Sequence, residues 1–299
     1  MSFAASAGRN ANRLNISVGT YSISANLAQA GNHFVRQFTQ LYAHYPVLDN
    51  DAPTDLSVTL KGCRRWNPLA ARQVQVEING EQPFDPMSAS FSLPMMETGL
   101  NWFIARYSTS RLLFHAAVVA RDDRAILLPG ESGAGKSTLC AALMADGWRL
   151  LSDEFAMLAP EDGRIYPHPR PISLKEKSID IVGKLMPTAY FSEPVDGTTK
   201  GRITYLRPPK AMIGDVRKPA RPVSVIFPRY QADGRGAMTP VARADGFMRL
   251  VDLSANYFTL MEVGFETLAR LVTDCAFYDF TYCDLDQAVS RISAIHAQP

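Results

Sequence analysis

Covalent cross-links and membrane segments are scarce in this chain. Only four cysteines (Cys63, Cys140, Cys275 and Cys283) serve 299 residues. None has the CxxC or Cys/His spacing that a zinc site needs, so a reduced, cytoplasmic setting is expected. No apolar run approaches the roughly 18 residues of a membrane span. The amino-terminal stretch MSFAASAGRNANRLN lacks the continuous apolar core of a signal peptide, so neither insertion nor secretion is expected. Net charge is also small, with 31 Lys and Arg against 29 Asp and Glu. Neither a nucleic acid nor a membrane is expected as a partner, and no internal repeat or low-complexity tract divides the chain.

What is present is apolar surface: 46% of the residues are hydrophobic, enough for one large core or two moderate ones. Charge is unevenly spread. Residues 164–250 hold 16 Lys and Arg against 7 Asp and Glu, a local +9, whereas residues 251–299 carry −5. A positive face suits nucleotide phosphates or an acidic protein or peptide partner; a solvated surface is the plainer reading.

Patterning divides the chain into two parts. LNISVGTYSISA, LSVTL and VQVEING alternate as strands, HFVRQFTQLY suits a short helix, and Asn79-Gly80 reads as a tight turn with SASFSL as the returning strand. METGLNWFIARYSTSR has helical spacing. Residues 1–95 are therefore expected to form a small mixed α+β lobe, and residues 96–299 a larger α/β domain. In the latter, FHAAVVARDDRAILLPG is a hairpin pattern, STLCAALMADG a helix ended by Gly147, and WRLLSDEFAML a strand carrying acid in its middle. PVSVIF and AFYDFTYC read as further strands and GFETLARLVTDC as a helix. Tyr278, Phe280 and Tyr282 alternate as core residues, and Cys275 and Cys283 read as separate buried thiols.

The most specific signal is GESGAGKST: Gly130, Glu131, Ser132, Gly133, Ala134, Gly135, Lys136, Ser137 and Thr138. It satisfies Gly-x-x-x-x-Gly-Lys-Ser between an apolar strand and a helix, the context of a P-loop. Glycines let backbone N–H groups converge on phosphate oxygens, and the helix amino terminus adds partial positive charge. Lys136 is expected at the β and γ phosphates and Ser137 on Mg²⁺. Asp153 and Glu154 follow Lys136 by 17 and 18 residues. Paired carboxylates in an apolar strand are costly unless a metal or donors compensate, which favours a site role.

FHAAVV, GESGAGKST and GWRLLSDEF together resemble the catalytic domain of the HPr serine kinase/phosphorylases, more closely their HPr kinase-related (kinase A type) branch, over roughly residues 112–158. The resemblance implies a P-loop kinase fold of the HPr kinase/phosphoenolpyruvate carboxykinase type. It implies a Mg-ATP-dependent kinase acting on a serine hydroxyl of a protein or peptide, with ATP and Mg²⁺ as cofactors. Residue by residue it makes Asp153 the base, Glu154 the support of the metal with Ser137, and His115 a site residue at the strand ahead of the loop. Glu154 stands where Asp is usual, and the later glycine-rich signature of HPr phosphorylase activity is missing. Kinases of this resemblance are often homo-oligomers, which these residues do not themselves show.

Two later stretches add candidates. YPHPRPISLKEKS brings His168, Arg170 and Lys175, with Arg170 expected at the γ-phosphate. DGTTKGRITYLRPP combines flexible backbone with Lys200 and Arg202, suited to closing over a nucleotide. Two other functions remain open: a small-molecule kinase, and a module that binds ATP for regulation or assembly without transferring phosphate.

Overall fold

The computed structural model describes residues 13–63, 72–214, 216–234 and 236–297. Residues 1–12, read above for a leader, lie outside them. The described residues form a mixed α/β structure of three sheets and eight α-helices. None of these helices is long and apolar enough to cross a membrane.

The first sheet has five strands in sequence order: β1 (Arg13–Val18), β2 (Tyr21–Asn26), β3 (Leu56–Gly62), β4 (Gln73–Ile78) and β5 (Met87–Ser88). Pairing is antiparallel except between β2 and β3, and α1 (Asn32–Leu41) lies on the connection between those two. Asn79 and Gly80 do form a turn, both at positive φ (47° and 85°). The strand expected to return from it does so only as the two residues of β5, where Ser88 pairs with Gln73. Glu81 makes a single bridge to Ile78, and Ala89–Phe91 is a 3₁₀ turn leading into α2 (Ser92–Tyr107). Buried Leu93, Met96, Leu100 and Ile104 pin that segment to the sheet as a helix, and tertiary burial overrides its alternating pattern.

The larger sheet is built on β6 (Leu112–Arg121) and β7 (Arg124–Pro129), the expected hairpin. Its order is β10 (Ile165–Tyr166), β9 (Phe155–Leu158), β6, β7, β14 (Arg221–Tyr230), β16 (Ala276–Tyr282), β15 (Ala237–Pro240), with β8 (Arg149–Ser152) also on β6. β7, β14 and β16 run parallel. Both faces are covered, which explains the near-continuous apolar run of β6. Ala117 and Val119 pack with Leu139 and Leu143 of α3 (Lys136–Ala145) and Ile292 of α8 (Leu285–His296). Phe114, Ala116 and Val118 face Leu268 and Leu271 of α7 (Tyr257–Asp274), above α6 (Arg243–Asp252).

WRLLSDEFAML is two strands rather than one. Ser152 Oγ accepts the backbone N–H groups of Glu154 (3.3 Å) and Phe155 (3.2 Å), bending the chain between β8 and β9 while both stay paired to β6. The acid pair occupies that bend. A three-stranded sheet, β11 (Ile172–Lys175), β13 (Gly201–Leu206) and β12 (Val195–Thr198), lies alongside with α4 (Lys177–Leu185) and α5 (Lys210–Gly214).

The first sheet is joined to the larger one through the stretch after β10. The β1–β2 turn sits on Pro167, whose carbonyl accepts both Thr20 N–H and Thr20 Oγ1 at 3.0 Å. A Cβ on Gly19 would lie 2.2 Å from that same oxygen, so only glycine admits this approach. Leu113, Phe155, Met157, Ile203, Tyr205, Ile213 and Val216 complete the apolar cluster of the first sheet.

Candidate functional site

β7 delivers the chain into the glycine loop and α3 begins at Lys136. Gly133 and Gly135 hold positive φ (94° and 92°), a conformation that keeps the backbone turning before the helix. A Cβ at Gly135 would fall 2.3 Å from Tyr282 Oη and 3.2 Å from Tyr230 Cβ. Tyr282 Oη donates to the Gly135 carbonyl at 3.1 Å, and Tyr230 N–H to the Ala134 carbonyl at 3.3 Å. The ends of β14 and β16 thus brace the loop, a support role that the alternation of Tyr278, Phe280 and Tyr282 did not reveal. Phe280 and Tyr282 are buried as expected and Tyr278 is half-buried; Cys275 is buried, whereas Cys283 is only half-buried.

Lys136 is buried, its Nζ bonded to the carbonyls of Gly130 (2.6 Å) and Glu131 (2.8 Å). Burial lowers its pKa, opposed by Asp153 and Glu154. The same Nζ lies 3.3 Å from His115 Nε2. Burial and then Lys136 hold the His115 pKa below the ordinary value, so a neutral imidazole accepts there. His115 Nδ1 is 4.0 Å from Glu154 Oε1.

Ser137 Oγ donates to Asp153 Oδ2 at 3.0 Å. The hydroxyl expected on a metal therefore partners the first acid, not Glu154. Asp153 is buried and its Oδ1 has no hydrogen-bond partner among the described residues. Burial, and then the Glu154 carboxylate, push its pKa up to about 8. A sealed, unpartnered carboxylate oxygen beside a serine hydroxyl fits a hard cation that also takes phosphate and water oxygens, as Mg²⁺ does. No cluster of three His, Cys, Asp or Glu side chains suited to a metal occurs among the described residues, so phosphate would have to complete such a site.

Thr138 Oγ1 donates to Ser178 Oγ (2.9 Å) and Lys175 Nζ to Ser132 Oγ (2.8 Å). A cavity of about 240 Å³ is lined by Ser132, Gly133 and residues 135–138 of the loop together with His115, Asp153, Glu154, Lys175 and Lys200. A second cavity, of about 400 Å³, adjoins it and shares Asp153, Glu154, Ser173 and Lys200. Lys200 is carried on the two-residue turn between β12 and β13. The expected flexible loop is a hairpin tip, closed by Thr198 Oγ1 on the Gly201 carbonyl (2.6 Å).

Arg170, expected at the γ-phosphate, does not line the glycine-loop cavity. Its guanidinium is buried against the Glu97 carboxylate, the Glu97 carbonyl (2.8 Å) and the Asn101 side chain. A buried cation requires a partner, and Glu97 of α2 supplies it from 73 positions away in sequence. Sequence reading passed over Glu97; its one signal is a lone acid within the apolar helical run LPMMETGL.

Residues 87–175 match the family model described as SynChlorMet cassette protein ScmC. No curated protein matches the chain. The matched stretch runs from β5 to β11 and contains the glycine loop, His115 and the acid pair. It overturns the resemblance to the HPr serine kinase/phosphorylases: these residues are similar to ScmC instead.

Proposed function

We propose that this protein transfers the γ-phosphoryl group of Mg-ATP to a hydroxyl group of a peptide or protein acceptor, using the larger sheet as a nucleotide-phosphate-binding fold. The observation that carries the reading is the pair of adjoining cavities with two carboxylates and a lysine on their common boundary. A nucleotide switch needs the first cavity alone, whereas a transferase needs both.

When bound, Mg-ATP supplies the electrophilic phosphorus and its charge-neutralising cation. The loop amides and Lys136 hold phosphate oxygens, and Ser137 with Asp153 holds the cation. That assignment moves Asp153 from base to metal support, because its bonded oxygen is the one on Ser137. Glu154, half-buried on the boundary, would take the acceptor proton as the hydroxyl oxygen bonds to the γ-phosphorus and the bond to the β–γ bridging oxygen breaks, with ADP leaving. His115 orients Glu154 and separates it from Lys136. Lys200 neutralises charge that develops on the transferred group.

The test is calorimetry of Mg-ATP binding to the parent and to Lys136→Ala, followed by incubation with labelled ATP and a peptide library. Micromolar binding that Lys136→Ala weakens at least about tenfold, with label appearing on a peptide hydroxyl, is the expected result. Equal nucleotide affinity in the variant would overturn the phosphate site. Binding without transfer to any acceptor would leave a nucleotide-gated binding module.

A further inference from the structure

The 400 Å³ cavity is walled largely by Phe84, Met87, Phe91, Met95, Ile203 and Tyr205. Its deep charges are already matched. Arg170 is held by Glu97 and Asn101, and His168 donates through Nδ1 to the Val18 carbonyl at 2.7 Å. Burial, and then Arg170, push the His168 pKa down to about 3, so that wall is neutral. The cavity's remaining anionic and cationic groups, Asp153, Glu154 and Lys200, lie on the boundary shared with the glycine-loop cavity. An occupant therefore meets charged chemistry at one end and mainly apolar walls over its body, interrupted by Thr98, Asn101 and His168. The volume lies in the range of sites that enclose a small molecule or a bulky side chain. An acidic side chain placed there would be desolvated beside two carboxylates, which disfavours it.

We propose that the acceptor is a peptide whose hydroxyl residue is flanked by a large apolar side chain, and that this side chain fills the cavity between α2 and the β12–β13 hairpin while the hydroxyl meets Glu154. This specificity rests on the phosphotransfer reading given above. It separates recognition next to the reacting group, which is apolar, from any charge attraction farther out.

Methyl-labelled protein, with and without saturating Mg-ADP, is titrated with N-acetyl-Phe-Ser-amide, N-acetyl-Asp-Ser-amide and 3-phenylpropan-1-ol. Mg-ADP affinity is measured separately. The expected result is that the Phe-Ser probe shifts the methyl signals of Met87, Met95 and Ile203 and binds on the order of tenfold or more tightly than the Asp-Ser probe. Met87→Asp at the exposed rim should remove that preference without altering Mg-ADP affinity or the thermal midpoint. Phe91→Ala, which enlarges the cavity and removes an apolar wall without adding charge, should weaken the Phe-Ser probe in the same direction. Equal affinity for the two peptides, or shifts confined to other methyls, would overturn the proposal. Binding of the free alcohol as tightly as the Phe-Ser probe would overturn the peptide assignment in favour of a small apolar alcohol. Loss of Mg-ADP binding alone would instead sink the phosphotransfer reading, so the two failures are distinct.

Discussion

Asp153 and Glu154 are neighbours in sequence with different surroundings, and their roles should separate on substitution. Asp153→Asn removes the carboxyl group whose proton Mg²⁺ would displace, so it should raise the Mg²⁺ concentration needed for nucleotide binding. Glu154→Gln should leave Mg-ATP affinity near normal and cut transfer by on the order of 10² or more, as loss of a general base does. Titrating Mg²⁺ against both variants decides this; a metal defect in Glu154→Gln and none in Asp153→Asn would reverse the assignment. His168 gives a prediction about stability. Its pKa is about 3 in the folded protein against an ordinary 6.5. Above about pH 6.5 it is neutral both folded and unfolded. Below that, the unfolded chain binds a proton that the native state refuses, so stability falls as pH drops, by a contribution approaching 1.4 kcal/mol per unit down to about pH 3. Between pH 6.5 and 5 the parent should lose about 1.6 kcal/mol more than His168→Asn in urea unfolding. Parallel pH slopes would show that the imidazole takes its proton without cost.

Among the elements, the glycine loop and its flanking hairpin and helix were legible in the sequence because each depends on local chemistry: apolar runs, a two-residue polar turn, glycines and Gly147 at the helix end. The bend that splits WRLLSDEFAML was not. It depends on Ser152 accepting two backbone N–H groups while β6 continues as one strand, and neighbouring apolar residues on both sides mask it. Nor could spacing reveal that Arg170 would meet Glu97, because that pairing exists only once α2 has packed over β4 and the stretch after β10. The bracing of the loop by β14 and β16 was hidden for the same reason. It can be tested through Gly135→Ala, which should destabilise the protein by about 1–3 kcal/mol and weaken Mg-ATP binding. Adding Tyr282→Phe removes the oxygen at 2.3 Å from the new methyl and should recover part of the loss. Strictly additive thermal shifts for the two substitutions would show that the tyrosine does not set the glycine requirement.

For the whole molecule, the fold resolves the basic surplus of residues 164–250 into separate groups. Lys175 and Lys200 border the glycine-loop cavity. Arg217 and Lys218 line a shallow depression with Arg121 and Arg149 at the β6–β7 turn, and Arg221 pairs in register with Arg124 at the start of β7. The loop leaves the other end of β7, so roughly 17 Å of strand separates the two groups, more than a Debye length at physiological salt. Charge reversal at Arg217 and Arg221 should therefore leave acceptor KM unchanged at about 0.15 M salt, while Lys200→Glu raises it. A raised KM in the distant pair would mean that the acceptor reaches along the whole strand.

The apolar cluster that the first sheet shares with Leu113, Phe155, Met157, Ile203 and Tyr205 also sets a timetable for synthesis. Strand β5 ends at Ser88, yet the last side chains that cover the sheet belong to residues more than a hundred positions later. At about 5–20 residues per second, a ribosome needs roughly 6–26 s to make the interval from Ser88 to Val216. Throughout it the emerging first sheet has α1, and then α2, against it but lacks the cover that Ile203, Tyr205, Ile213 and Val216 supply, and the chain depends on whatever occupies that part of the face until Val216 leaves the exit tunnel.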